Sequence, residues 1–317
     1  MSDPDPLWYH VDGDLVSQSE ATVRVDDRGF RFGDAAFETL RAYGGEVFEW
    51  DAHVERLERT CETLAIDHGL DPADLAGRID ETLEANGLAD AYVRLSITRG
   101  VQPGTLTPQP TVDPTVVVIV DGLPRGGIDG ESVWDGPAAV RTVDTRRISD
   151  DAIPASAKTH NYLNGILARL ELQEWAAEHR NQDGGSASGT GGNAGGESAD
   201  EAILRAPDGS IAEGATSNVF FVSNGTLYTP SLEGPVLAGV TRRVVCELAT
   251  DRGLPVDTGA YEPAVLRNAD EAFLTNTTWE IRPIESIDGT RLEVGPITRS
   301  LIEAFDELVE RRCYRSG

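Results

Sequence analysis

The chain has 317 residues, 39% hydrophobic and 26% charged, which sets a folded protein of two ordinary domains and excludes a fibrous or disordered one. Its formal charge of −27 comes from 54 acidic against 27 basic residues spread along the chain, and phosphate contacts need clustered Lys and Arg, so a nucleic-acid partner is excluded. The longest apolar run, Val116 to Val120, is too short to span a membrane, and the acidic opening Met1-Ser2-Asp3-Pro4-Asp5-Pro6 lacks the apolar core of a signal peptide, which points to a cytoplasmic protein.

The dispersed acidity reads as adaptation to high salt, where self-repulsion keeps a protein in solution and is screened. Three cysteines, Cys61, Cys246 and Cys313, have no ligand-like spacing and imply neither a metal site nor a disulfide framework.

In chain order, Val11 to Val16 predicts a hairpin turning at Asp12-Gly13. Phe37 to Tyr43 reads as a strand, returned by Glu46-Val47-Phe48 after Gly44-Gly45. Asp51 is the expected N-cap of a helix with apolar face Val54, Leu57, Cys61 and Leu64. A second helix runs from Pro72 to Asn86, and strands follow at Ala91 to Thr98 and Thr115 to Asp121. Residues 1–121 thus form a smaller α+β domain, and the Gly- and Pro-rich stretch 122–136 reads as a linker. The second domain, 137–317, opens with a strand at Ala138 to Val143 and a long helix from near His160 to Glu178. Residues 181–197 have no apolar anchor and read as a mobile Gly- and Ser-rich insertion. Beyond it come strands at Glu201 to Arg205, Asn218 to Val222 and Thr226 to Tyr228. A helix from Thr241 to Asp251, a strand from Glu271 to Thr275 and a terminal helix from Pro296 to Arg312 complete the chain.

One compositional feature is sharper than the rest: Lys158 is the sole lysine, and every other Lys or Arg is arginine. Arginine replaces lysine wherever charge alone is needed, but its guanidinium stays protonated and is a poor nucleophile. Covalent capture of a carbonyl needs a primary amine that can shed its proton. A lysine kept alone amid near-total exclusion reads as chemical, against the alternative that one surface lysine survived drift.

Four segments can be assembled into a cofactor site. Lys158-Thr159-His160-Asn161-Tyr162 carries the amine. Glu213, in Ala212-Glu213-Gly214-Ala215-Thr216-Ser217-Asn218, offers a carboxylate that could pair with a pyridine nitrogen. Leu237-Ala238-Gly239-Val240-Thr241-Arg242 precedes a helix, where free N–H groups suit a phosphate. Thr275-Asn276-Thr277-Thr278 ends a strand as a hydroxyl cluster suited to phosphate or carboxylate, and Arg56 could supply countercharge, although Arg59 on the next turn looks equally good.

The order and wording of these segments resemble the class IV aminotransferases, the fold-type IV enzymes that use pyridoxal 5′-phosphate (PLP). Asp27-Arg28-Gly29-Phe30-Arg31-Phe32-Gly33-Asp34-Ala35-Ala36-Phe37-Glu38-Thr39-Leu40-Arg41 looks like their N-terminal signature, and the match continues through Arg56, Lys158, Glu213-Gly214, Gly239-Val240-Thr241 and Thr277-Thr278. The resemblance implies a smaller α+β domain and a larger β-barrel-like domain with PLP between them, in a homodimer acting on a small molecule. It implies that Lys158 carries the cofactor and moves the α-proton, and that Glu213 pairs with the pyridine nitrogen. Arg56, Gly239, Val240, Thr241 and Thr277 would hold the phosphate, Leu237 would pack on the ring, and Tyr162 would bond its hydroxyl. The Lys158–Tyr162 spacing is one residue shorter than in branched-chain enzymes.

Within the family, the D-amino acid enzymes carry an arginine and a histidine after Thr-Arg-Gly. Here Thr98-Arg99-Gly100 leads to Val101-Gln102-Pro103-Gly104, with neither. Branched-chain enzymes show glycine where Thr39 stands and tyrosine where Phe32 stands, but share Phe37 and Tyr92-Val93-Arg94. Phe37-Glu38-Thr39-Leu40-Arg41 is similar to aminodeoxychorismate lyases, whereas Thr278 is more typical of transaminases. The expected activity is the lyase, with a branched-chain aminotransferase as the alternative and Phe37, Thr39, Tyr92, Arg94 and Thr278 toward the substrate. A non-enzymatic acidic scaffold is a further alternative. The five histidines show no metal-ligand spacing, so no metal is expected, and His160 reads as structural.

Overall fold

The computed structural model describes residues 6–125, 133–182 and 199–314. The chain divides into two compact units, residues 1–133 with 156–161 and 305–317, and residues 134–155 with 162–304. This differs from one cut at a 122–136 linker, because the Lys158 segment and the C-terminus return to the first unit. Most of the expected insertion, and residues 126–132 of the linker, lie outside the described residues.

The first unit contains β1 (Trp8–Val11), β2 (Asp14–Ser17), α1 (Arg28–Phe32), β3 (Ala35–Tyr43), β4 (Glu46–Val47), α2 (Trp50–Leu64), α3 (Pro72–Asn86), β5 (Ala91–Thr98) and β6 (Val116–Gly122). Its sheet is antiparallel in the order β2-β1-β6-β5-β3-β4. Helices α2 and α3 cover one face, where Leu57, Leu75 and Ile79 meet Leu40, Val93, Leu95 and Val118 in a common core. Each such side chain contributes about 1.5–3 kcal/mol by leaving water.

Asp71 caps α3 by accepting from the Ala73 and Asp74 N–H groups, which accounts for its start at Pro72. The N-cap of α2 is Glu49, in the left-handed region at φ 56°, rather than Asp51. Asp51 instead lies in the first turn, where its charge favours the helix dipole.

The second unit contains β7 (Ala138–Arg146), α4 (Leu163–Gln182), β8 (Glu201–Arg205), β9 (Ile211–Gly214), β10 (Asn218–Ser223), β11 (Thr226–Pro230), α5 (Val240–Asp251), β12 (Val256–Gly259), α6 (Pro263–Arg267), β13 (Glu271–Asn276), β14 (Glu280–Ile287), β15 (Thr290–Arg291) and most of α7 (Pro296–Val309). The strands run β12-β11-β10-β13-β14-β7-β8-β9, with β15 on β14. Strand β9 ends the row, yet a tight turn closed by Gly214 N–H to Ser217 O at 2.7 Å leads directly into β10. The sheet must therefore curl, as a half-barrel does. Among the described residues no helix is long and apolar enough to cross a membrane.

Candidate active site

Residues 158–160 are tied to the start of β3 by an isolated bridge and two backbone hydrogen bonds instead of beginning α4. Phe37 N–H donates to Lys158 O at 3.0 Å, His160 N–H donates to Ala35 O at 3.0 Å, and Thr159 bridges to Ala36. Lys158 N–H donates to the Thr60 hydroxyl on α2 at 3.1 Å. Asn161 Nδ2 donates to Gly33 O, and a Cβ on Gly33, whose φ is 69°, would stand 2.8 Å from Asn161 Oδ1. Close approach and left-handed backbone both demand glycine there. The amine is thus carried on backbone pinned from both sides.

Strand alternation and the β3–β5 register place Phe37, Thr39 and Arg41 on one face with Tyr92, Arg94 and Ser96. On that face Lys158 Nζ lies 4.3 Å, and Arg94 Cζ 3.8 Å, from the centroid of the Phe37 ring. Two cationic groups thus share one aromatic ring, the geometry of cation–π attraction. His160 stands edge-on to the same ring, its Nε2 3.2 Å from Ser96 Oγ. Burial, with the charge of Arg94, pushes His160 down to about 4, so it is neutral near pH 7.

In the second unit the hub is Asn218, at the start of β10. Its Nδ2 donates to Leu237 O at 3.0 Å and to Glu213 Oε2 at 3.4 Å, while Leu237 N–H donates to the same oxygen at 3.0 Å. Glu213 Oε1 is 2.9 Å from Arg147 Nε. A Cβ on Gly239 would fall 2.0 Å from Asn218 Oδ1, so only glycine fits. Gly239 is also the N-cap of α5 and brings no capping side chain, leaving first-turn N–H groups without an intrahelical partner. The buried Thr241 lies in that turn.

Asn218 pairs with Thr275 on β13, whose buried hydroxyl has no partner among the described residues. Beyond it, Asn276 Oδ1 accepts from the N–H and hydroxyl of Thr278 and from Trp279 N–H, fixing the turn that carries Thr277.

The expected residues therefore form two sets. Lys158, Phe37, Thr39, Tyr92 and Arg94 stand together in the first unit, and Glu213, Leu237, Gly239, Val240 and Thr241 gather around Asn218 in the second. Tyr162 is half-buried just before α4 and accepts Ile166 N–H. Arg56 and Arg59 are told apart: Arg59 is an exposed partner of Glu55, whereas Arg56 is buried against Glu38. Sequence reading missed Thr60, Arg147 and the role of Asn218; nothing local marks Arg147 among so many arginines.

The family model for amino-transferase class IV matches residues 35–185 and 187–287. The chain is 36% identical over 308 residues to a protein of Methanocaldococcus jannaschii named as a branched-chain-amino-acid aminotransferase, covering 95% of this chain and 96% of the relative. It is 33% identical over 312 residues to the aminodeoxychorismate lyase of Bacillus subtilis, covering 97% of each. The solved branched-chain aminotransferase of the thermophilic archaeon Thermoproteus uzoniensis, with norvaline, superposes with a TM-score of 0.81 at 30% identity, covering 96% of this chain and 95% of that one.

The cofactor is PLP, and the residues present fit it. In the first unit a lysine amine suits its aldehyde; in the second, by itself, an uncapped helix start with an orphaned hydroxyl nearby in register suits a phosphate, and a buried carboxylate suits a pyridine nitrogen. When bound, PLP supplies an electron-accepting ring. The non-enzymatic scaffold is thereby set aside. With its signature, its fold-type IV architecture and the family match over most of its length, the chain belongs to the class IV aminotransferases, a family of PLP-dependent enzymes.

Proposed function

We propose that this enzyme is an aminodeoxychorismate lyase, releasing pyruvate from 4-amino-4-deoxychorismate to leave 4-aminobenzoate. The observation that carries this reading is the polar wall beside the amine. Around Lys158 the sheet face offers Thr39, Arg94, Ser96 and neutral His160, with the ring of Phe37 and the phenol of Tyr92. The aliphatic Val117 and Ile119 lie one strand further on, opposite Ser96 and Arg94. Such a wall suits a rigid ring bearing its own carboxylate better than an aliphatic side chain, which gains most from apolar contact.

In this reading Lys158 would hold the cofactor and would take the proton from the substrate carbon bearing nitrogen. Arg94 receives a substrate carboxylate, and Thr39, Tyr92 and Thr278 orient the ring. Glu213, itself held by Arg147, Asn218 and Leu237, would pair with the pyridine nitrogen, and Leu237 would pack on the cofactor ring. Arg56, Gly239, Val240, Thr241 and Thr277 would hold the phosphate, and Tyr162 the ring hydroxyl. A branched-chain aminotransferase is favoured instead by the M. jannaschii relative and by Phe37 with Tyr92-Val93-Arg94. Assays of 4-aminobenzoate from aminodeoxychorismate, and of glutamate from leucine with 2-oxoglutarate, separate the two; faster glutamate formation overturns the lyase.

The enzyme works as a homodimer in this proposal. Leu163, Ile166, Leu167 and Leu170 are each 47–65% exposed and recur at helical spacing on α4. Residues 160–170 contain no acid, although the chain carries 54 in 317, so a second copy could meet this stripe without like-charge repulsion. Ile166→Asp should yield monomers by light scattering; an unchanged mass removes the stripe from the interface.

A further inference from the structure

On the helix side of β3, behind the face that carries Lys158, the first unit buries a charged cluster. Glu38 is 1% exposed. Its carboxylate accepts from Arg56 Nε at 2.8 Å, Arg56 Nη2 at 2.6 Å and His53 Nδ1 at 2.8 Å. Burial alone would raise the Glu38 carboxyl, but the charge and hydrogen bonds of Arg56, with the bond from His53, outweigh it and hold it at about 2. Burial keeps His53 below its ordinary value, so the neutral ring donates through Nδ1.

A buried ion pair is a weak source of stability, because desolvating two charges offsets their attraction and apolar side chains of equal volume often serve as well. The cluster therefore asks for another role, and its neighbours supply one. Arg56 O accepts the Thr60 hydroxyl at 3.0 Å, and that hydroxyl accepts Lys158 N–H at 3.1 Å. On the other side Phe37, adjacent to Glu38 in β3, donates its N–H to Lys158 O at 3.0 Å. Both flanks of the Lys158 peptide are thus tied, within one residue or one helical turn, to the Glu38–Arg56 pair.

We propose that Glu38 is a positioning residue, which orients the Arg56 guanidinium as the arm for the cofactor phosphate and locks that arm to the Lys158 backbone. The phosphate anchor and the reacting amine then keep a fixed spacing. A bidentate carboxylate fixes both the plane and the reach of a guanidinium, which lysine at that position could not match. The proposal rests on Arg56 as a phosphate contact and on PLP as cofactor, not on which reaction follows.

The test is affinity rather than turnover. Full-length protein freed of cofactor is titrated with PLP and with pyridoxal, which lacks the phosphate, following the visible absorbance of the lysine adduct. In Glu38→Gln the PLP affinity should fall at least about tenfold, the scale of a lost charge-assisted contact. Pyridoxal affinity should change less than about threefold on the same reasoning. Arg56→Lys should lose the same selectivity, and the double variant should be no worse than Arg56→Lys, since the two act as one unit.

Glu38→Asp keeps the charge but withdraws it by one methylene, so it carries the test if the amide variant fails to fold; it too should lose PLP selectively. Equal loss of PLP and pyridoxal in the Glu38 variants would make the cluster purely structural and overturn the proposal. So would an Arg56→Lys protein that still prefers PLP as the parent does. Failure of the lyase assay would leave these affinities untouched, so the two readings fall separately.

Discussion

Replacing Arg94 by leucine is the most discriminating perturbation of the lyase reading. The guanidinium carbon stands 3.8 Å from the Phe37 ring centroid, on the face that carries Lys158. Leucine still covers the ring, so the fold loses only the cation–π contact, worth about 0.5–1 kcal/mol for a half-exposed side chain. A substrate carboxylate that paired with Arg94 loses a charged hydrogen bond of about 1.5–3 kcal/mol. Lyase kcat/KM should therefore drop by roughly 10- to 150-fold while the melting temperature barely moves. Leucine transamination should hold or improve, since the wall becomes more apolar.

A second readout needs no turnover. The charge of Arg94 helps lower His160, so the variant should raise the His160 midpoint from about 4, with burial still holding it below 6.5. The Hε1 resonance followed through a pH titration reports it. Lyase activity within threefold of the parent, or an equal fall in both reactions, would refute the reasoning, because Arg94 would then be idle or a general α-carboxylate contact.

Lys158→Arg should keep the fold and its charge while abolishing the visible band of lysine-bound cofactor; a surviving band with full turnover would remove Lys158 from the chemistry. Glu213→Gln should leave PLP bound yet slow turnover roughly 10- to 100-fold, the worth of one charge-assisted hydrogen bond, and a rate within twofold of the parent would refute that role. Stability should fall in acid in two stages, monitored by urea melts. The folded His160 value lies below 6.5, so the unfolded chain protonates first, and up to about 3 kcal/mol is lost between pH 6.5 and about 4. The lowered Glu38 adds a further loss between pH 4.5 and about 2; a flat profile from pH 6.5 to 4 would contradict the buried neutral histidine. With a net charge of −27, the melting temperature should climb between 0.1 M and 2 M salt as self-repulsion is screened, and a fall would argue against surface adaptation.

The sequence by itself determined what depends on neighbours along the chain. Pro72–Asn86, Ala91–Thr98 and Glu201–Arg205 have the bounds their periodicity predicts. The family is legible in the signature around Phe37 and in the solitary Lys158, because excluding every other lysine leaves a chemical mark that needs no structure. Pairing across the chain was not legible. Strand β14 is hidden by Pro283, which reads as a breaker but is accommodated opposite Phe273 just before a bulge at Ile284–Ser286. The long helix starts at Leu163 rather than near His160, because Ala35 and Ala36 hold residues 159 and 160 by an isolated bridge and a backbone hydrogen bond, and tertiary hydrogen bonds override local propensity. The contacts of Glu38 with Arg56, of Arg147 with Glu213 and of Arg94 with Phe37 join residues 18, 66 and 57 positions apart. No local pattern selects one arginine among so many, and only the folded backbone, by desolvating a particular carboxylate or ring beside each, decides which arginine does what.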